Sequence, residues 1–470
     1  MSDLKATDDV FFASITELNA RLLKKEFSAV ELTKAFAERL AKVGPRYNAL
    51  ALPLEKSAEK RAKAVDDERK RERLRGPLHG IPFGAKDLLS VAGQRTTWGA
   101  KPYETQVLDV TATALDKLDK VGAPLVGKLA MIELAGGPSY RSAEASLFGA
   151  CKNPWDVTRW SGGSSSGSGA AVAAGLVPFA LGSETSGSIL NPAASCGVTG
   201  LRPTYGLVSR YGAMALSWTL DKIGPLCRTA EDCGHVLQVI AGGDAKDPGS
   251  AGKSFYYTPQ YSRDVKTLKA VMTSAGAPWA ETALGVFREM GLIPAEGKTP
   301  AFPYGELIST IIASEAASIF ETLITSGRVN QLQDVRQIER LKAGLEIPAK
   351  DYLKAMRIRS LVRQKFHELF ADVDVLIAPT IMNIAPKISD PLDAPVQGAP
   401  RGPNPLAGLI QAGNLAGLPA LSVPCGFQEG MPVAMQLVGP PFSENMLLTI
   451  GREFQARTDW HKRRPTVAAG

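Results

Sequence analysis

The chain has 470 residues, 44% hydrophobic and 21% charged, with 54 Lys and Arg against 47 Asp and Glu and a formal charge of +7. A chain of this length and balance buries a large core without staples, and length alone permits one large α/β domain or several smaller ones. So mild a basic bias, with the runs Arg69 to Arg75 and Lys462 to Arg464 interleaved with acids or confined to the tail, reads as solvated surface and argues against a nucleic-acid partner.

In chain order, Met1 to Asp9 is polar and has no basic stretch running into an apolar one, so no signal peptide is expected. Ser14-Ile-Thr-Glu17 and Ser28-Ala-Val-Glu31 have capping-box spacing. After Ser28, the positions Val30, Leu32, Ala35, Phe36 and Leu40 form a helical stripe that Gly44-Pro45 ends. Lys56 to Arg75 predicts an exposed charged helix, Gly76 to Gly80 a turn, and Ile81 to Ala85 an apolar lead into Lys86. Beyond Ala112 helices and short strands alternate: helix over Thr113 to Val121, strand over Pro124 to Val126, helix over Gly169 to Ala174, strand over Leu176 to Leu181. That alternation predicts an α/β domain with a mostly parallel sheet. The stretch from Ala241 to Pro348 is less regular, and Val375 to Pro379 and Ala420 to Pro424 read as returning core strands. No repeat or low-complexity linker divides the chain, so residues 1–470 are taken as one domain. The longest apolar run, Ala170 to Leu181, is broken by Gly175 and Pro178 and is too short to cross a bilayer, so the expectation is a cytoplasmic protein without a membrane partner.

Two stretches resist a packing explanation. Ser161 to Gly169 is entirely Ser and Gly, and it runs straight into an apolar segment, which disfavours a flexible linker. Gly182-Ser-Glu-Thr-Ser-Gly-Ser188 follows a strand and precedes a helix predicted from Pro192 onward. Such turns lie where α/β folds place ligands, and their backbone N–H groups can bind an oxyanion. A serine nucleophile needs a base, yet His79, His235, His367 and His461 stand in no triad context. Lys86, set among small and apolar residues, is the alternative: burial would hold its amine neutral, whereas a surface location would make it an ion pair with Asp87. Gly163-Ser-Ser-Ser-Gly167 also fits G-x-S-x-G, a serine-esterase elbow centred on Ser165, but no strand precedes it. Gly122 to Lys128 resembles a phosphate-binding loop, but Leu129 replaces the required hydroxyl and the segment reads as a strand.

Longer motifs then agree. Gly76 to Asp87 resembles the lysine motif of the amidase-signature family, Arg159 to Gly175 its Gly/Ser-rich signature, and Gly182 to Pro192 its nucleophile loop. Asn414 to Gly426 and Gln436 to Phe442 are similar to its C-terminal motifs. The similarity runs from about Glu17 to Phe454, with core motifs over 76–230 and 375–455 and a variable, substrate-shaping region over 241–348. The resemblance implies one large α/β domain, a mixed sheet flanked by helices on both faces. It implies Ser188 as nucleophile, Ser164 as proton relay on a cis Gly163–Ser164 bond, and Lys86 as base. Backbone N–H groups of Thr185, Ser186, Gly187 and Ser188 would form the oxyanion hole, with Ser165 a supporting partner of Lys86.

Three positions depart from the family pattern: Glu184 for Asp, Ser186 for Gly and Leu190 for Arg. The missing Arg beside the nucleophile leads to the expectation of a neutral small-molecule substrate, an amide or carbamate, as for an aryl acylamidase or urethanase with side esterase activity. The glutaminase (A) subunit of a tRNA-dependent amidotransferase stands as the alternative. The five cysteines, Cys151, Cys196, Cys227, Cys233 and Cys425, form no C-x-x-C pair, which argues against a disulfide framework or a zinc cluster and for a reducing compartment. No metal or organic cofactor is expected. A homodimer is a family-level expectation.

Overall fold

Ser14 and Ser28 each close a complete capping box, starting the helices Ile15–Leu23 and Ala29–Val43. In both, the serine hydroxyl accepts the N–H three residues on while Glu17 or Glu31 returns to the cap N–H. The structure, a computed structural model, describes residues 8–394 and 404–466. Of the polar amino-terminal stretch, residues 1–7 lie outside the described residues.

Among the described residues eleven strands form one sheet: β1 (Leu50–Pro53), β2 (Phe83–Lys86), β3 (Leu125–Leu129), β4 (Phe179–Glu184), β5 (Thr199–Arg202), β6 (Lys222–Cys227), β7 (Lys269–Met272), β8 (Ile293–Pro294), β9 (Val375–Pro379), β10 (Ala420–Gln428) and β11 (Met431–Val438). Their spatial order is β1-β3-β2-β4-β6-β5-β10-β11-β9-β7-β8. The sheet of this single α/β domain is mixed. Of ten strand pairs among the described residues, six are antiparallel, which corrects the expectation of a mostly parallel sheet. A parallel set, β3-β2-β4, shares the sheet with the β10–β11 hairpin and its antiparallel neighbours. The hairpin turns through Glu429 and Gly430, both at positive φ, the backbone that lets a two-residue connection match strand twist.

Helices cover both faces, and the pleat shows it. Along β4, Phe179 and Leu181 belong to one buried cluster and Ala180 to another, as alternation across a sheet requires. The first cluster includes Val236, Leu237 and Ile240 of the helix Ala230–Ile240. The second includes Ala170 to Ala173 of the helix Ser166–Ala173 and Leu40 of Ala29–Val43. The region 241–348 supplies β7 and β8, which extend the sheet beyond β9, and the helices Pro278–Glu289, Tyr304–Ile319, Glu321–Thr325 and Val335–Gly344.

Among the described residues no helix is long and apolar enough to cross a membrane, and no group of three or more His, Cys, Asp or Glu side chains could hold a metal ion. The five cysteines are free and buried.

Candidate active site

Lys86 ends β2, and its side chain falls on the same side of the sheet as Gly84 and the paired Ala180. That face is covered by the helix Ser166–Ala173, whose small residues permit a close approach. A Cβ on Gly167 would sit 2.6 Å from the backbone N of Ala130 and 2.6 Å from the carbonyl of Ala49. Every residue from Ser161 to Ala174 is buried, so the Gly/Ser stretch is packed structure and not a linker. The helix starts at Ser166, three residues earlier than its apolar run suggested.

The amine of Lys86 is fully buried and meets three hydroxyls: Ser164 Oγ at 2.8 Å, Ser183 Oγ at 3.0 Å and Ser165 Oγ at 3.1 Å. Burial lowers its pKa to about 7, against the raising effect of Asp221 and Glu184. The alternative of a surface ion pair with Asp87 is excluded by this geometry. Asp87 is itself buried, forms an ion pair with Lys128 Nζ at 2.8 Å and accepts the Thr97 N–H at 3.0 Å. Lys128 therefore belongs to a buried strand, β3, and not to a phosphate loop.

The Gly163–Ser164 peptide bond is cis. Ser165 is fully buried; its hydroxyl donates to the Ser183 carbonyl at 3.1 Å and accepts from the Ser183 N–H at 3.2 Å. It is preceded by a loop and sits inside the protein, so it lacks the exposed strand-to-helix elbow of a serine esterase. The Ser165 N–H donates to the Ser188 carbonyl at 3.3 Å, which ties the two Gly/Ser stretches together. Ser188 itself is half-buried, at the end of a turn that contains Gly187 at φ +95°. That positive φ is where a glycine is needed.

Glu184 fixes this turn from behind. One of its oxygens accepts the N–H groups of Ile189 at 2.9 Å and Leu190 at 3.0 Å. The other accepts from Arg202 at 2.9 Å and Asn414 Nδ2 at 2.8 Å. Burial acts to raise the Glu184 pKa, but Arg202, Lys222 and these hydrogen bonds outweigh it and the net shift is downward. Lys222 donates to Asn414 Oδ1, and burial together with Arg202 pushes its pKa well below the ordinary lysine value. Arg202, Lys222 and Asp221 do not stand out from sequence. The one available signal is a charge inside an otherwise apolar run, Arg202 after Leu201 and the adjacent pair Asp221-Lys222 between Leu220 and Ile223.

A cavity of about 500 Å³ opens over Ser183 and Thr185. Its walls include Tyr205, Arg210, Tyr211, Met214, Trp218 and Asp221, with Lys246 and Asp247 from the region 241–348. No histidine lines it among the described residues. Arg210 grips Asp247 with two nitrogens, Nε at 3.0 Å and Nη2 at 2.7 Å, and Lys246 stands 5.0 Å from the Tyr211 ring centre.

Residues 31–448 match the family model described as Amidase. The chain is 38% identical to the A subunit of the glutamyl-tRNA(Gln) amidotransferase of Roseiflexus castenholzii, over 97% of each chain. The A subunit of the same enzyme from Carboxydothermus hydrogenoformans is 37% identical over 98% of this chain and all of its own. Among solved structures, the peptide amidase of Stenotrophomonas maltophilia is 30% identical with a TM-score of 0.81, covering 97% of this chain and 99% of its own.

These relatives overturn the expectation of a neutral amide or carbamate substrate, because proteins this similar over nearly their whole length carry the amidotransferase name. The structure supplies the physical reason. Leu190 is fully buried in the main core, so its apolar character is accounted for by packing and is no reading of the substrate's charge. The wall itself carries Arg210 and Lys246.

Proposed function

The chain belongs to the amidase family of C–N hydrolases, and we propose that it is the glutaminase (A) subunit of an amidotransferase, releasing ammonia from the side-chain amide of glutamine. The similarity to subunits of that name over nearly the whole length of both chains carries this reading. The catalytic roles we propose are Ser188 as nucleophile, Ser164 as relay and Lys86 as base. They are supported by the 2.8 Å contact between the Lys86 amine and the Ser164 hydroxyl.

A neutral Lys86 accepts the Ser164 proton, and Ser164 takes the proton of Ser188. The Ser188 oxygen attacks the amide carbonyl, and the oxyanion settles on the backbone N–H groups of Thr185, Ser186, Gly187 and Ser188. Collapse breaks the C–N bond while the relayed proton goes to the leaving nitrogen, which departs as ammonia. Water then cleaves the acyl-enzyme. Neutral Lys86 is available at physiological pH because its pKa stands at about 7. The names of the relatives also lead us to propose partner subunits, with ammonia passed on inside the assembly.

The test is ammonia release from glutamine by the purified chain and by the chain recovered with its partners from the native host, with Ser188→Ala prepared in parallel. Glutamine hydrolysis that Ser188→Ala abolishes is the expected result. Failure of both preparations to hydrolyse glutamine, with cleavage of an anilide or aryl carbamate at Ser188 instead, would overturn the proposal.

A further inference from the structure

Asp221 stands just before β6, beyond the register pair of Glu184 and Lys222, so it faces the turn that follows β4. Its carboxylate is divided between two structures. Oδ1 accepts the Thr185 hydroxyl at 2.6 Å. Oδ2 accepts the N–H groups of Leu216 at 2.8 Å and Ser217 at 2.9 Å, beside Trp218 in the cavity wall. From the other side, Glu315 of the helix Tyr304–Ile319 holds the same wall through Ser217 Oγ, the Thr219 N–H at 3.2 Å and Thr219 Oγ1 at 2.8 Å. The wall segment is therefore fixed at its back by the buried carboxylate of Glu315 and joined to the nucleophile turn by the half-buried carboxylate of Asp221.

We propose that Asp221 is a positioning residue for the oxyanion turn: by holding the Thr185 side chain against the Leu216–Ser217 backbone, it sets where the Thr185 N–H points and couples that turn to the substrate cavity. This rests on the catalytic roles proposed for Ser188, Ser164 and Lys86. It goes beyond them by giving a task to a carboxylate that none of those steps uses.

The charges around it make the role measurable. Lys86 is faced by Asp221 and, from β4, by Glu184, and both raise its pKa. Asp221 is faced by Lys222 of β6 and by Arg210 across the cavity. Burial raises the Asp221 pKa, against hydrogen bonds from Thr185, Ser217 and Leu216. Removing its charge leaves Glu184 as the carboxylate supporting protonated Lys86, so the Lys86 pKa moves down. Activity lost on the acid side then persists to lower pH.

The experiment compares Asp221→Asn, Thr185→Val and Ser188→Ala with wild type in glutamine hydrolysis, with kcat, KM and the pH profile measured after thermal unfolding has verified each fold. We expect kcat to fall at least about tenfold in Asp221→Asn and in Thr185→Val with KM little changed, as for a lost transition-state interaction. The double variant should fall by less than the product of the two single losses, since both weaken the Thr185–Asp221 contact. The acid limb should move to lower pH in Asp221→Asn and stay in place in Thr185→Val, a split that a purely structural role would not produce. Wild-type kcat in Asp221→Asn, or a loss confined to KM, would overturn the proposal. Should Asp221→Asn fail to fold, Thr185→Val decides alone: wild-type kcat there refutes the proposal. If Ser188→Ala retains activity, the catalytic assignment itself fails. If Ser188→Ala is inert while Asp221→Asn is fully active, the positioning role alone fails.

Discussion

The amine of Lys86 has three hydroxyl neighbours, and its protonation state decides how they are served. As an ammonium it could donate to all three. As a neutral amine it has two N–H groups and one lone pair, so one hydroxyl must donate to it. That second arrangement is the one in which a serine hydroxyl hands over its proton. With a pKa at about 7, kcat/KM should decline roughly tenfold per pH unit on the acid side of neutrality as the free enzyme takes up one proton. A profile flat from mildly acidic to alkaline pH would contradict a lysine base. At this scale much of the candidate site was legible. A lysine between small and apolar residues, and two Gly/Ser stretches unlike an ordinary apolar core, stand out by composition alone. Asp221, Arg202 and Lys222 did not, because a single charge in an apolar run reads the same on a surface strand as in a buried network. Leu190 misled for a related reason: adjacency to Ser188 in sequence suggested that it faced the substrate, and its side chain is buried in the core.

At the scale of elements, the helix Ser166–Ala173 brings Ser164 and Ser165 close to Lys86, and its glycines make that approach possible. Gly167 is the sharpest case, since an added Cβ would meet backbone atoms of Ala49 and Ala130 at 2.6–2.7 Å, and backbone cannot swing aside as a side chain can. Gly167→Ala should therefore destabilise the protein by about 1–3 kcal/mol, the cost of overpacking a filled interior. Urea unfolding would report this as a lower midpoint at unchanged slope. A midpoint equal to wild type would mean that the helix can shift outward freely. The elements themselves were largely readable. Capping boxes marked two helix starts, and Val375–Pro379 is a strand over the residues its apolar run indicated. The strand expected over Leu176 to Leu181 runs instead over Phe179–Glu184, because the first three residues of the apolar run are spent on the turn from the preceding helix. Strand direction was not readable, because hydrophobic patterning is blind to it: the alternation of helices and strands suggested parallel pairing, and most pairs are antiparallel.

Over the whole molecule, the sheet gathers the site from distant parts of the chain. Lys86, Ser164 and Ser183 come from separate segments, and the cavity wall adds residues from Tyr205 to Ile223 and from Lys246 to Gly249. We propose that substrate choice belongs to that wall, which no contiguous motif records. This is why the family was legible in the sequence and the substrate was not. The buried lysine beside Ser164 and the turn that carries Ser188 support the central proposal: an acyl group passes through Ser188. The most direct measurement is to quench the protein in acid during turnover of glutamine and locate the acyl adduct by peptide mass spectrometry. The expected result is an adduct on the peptide bearing Ser188, at Ser188 itself, and none in Ser188→Ala. An adduct on Ser165, or turnover by Ser188→Ala, would contradict it.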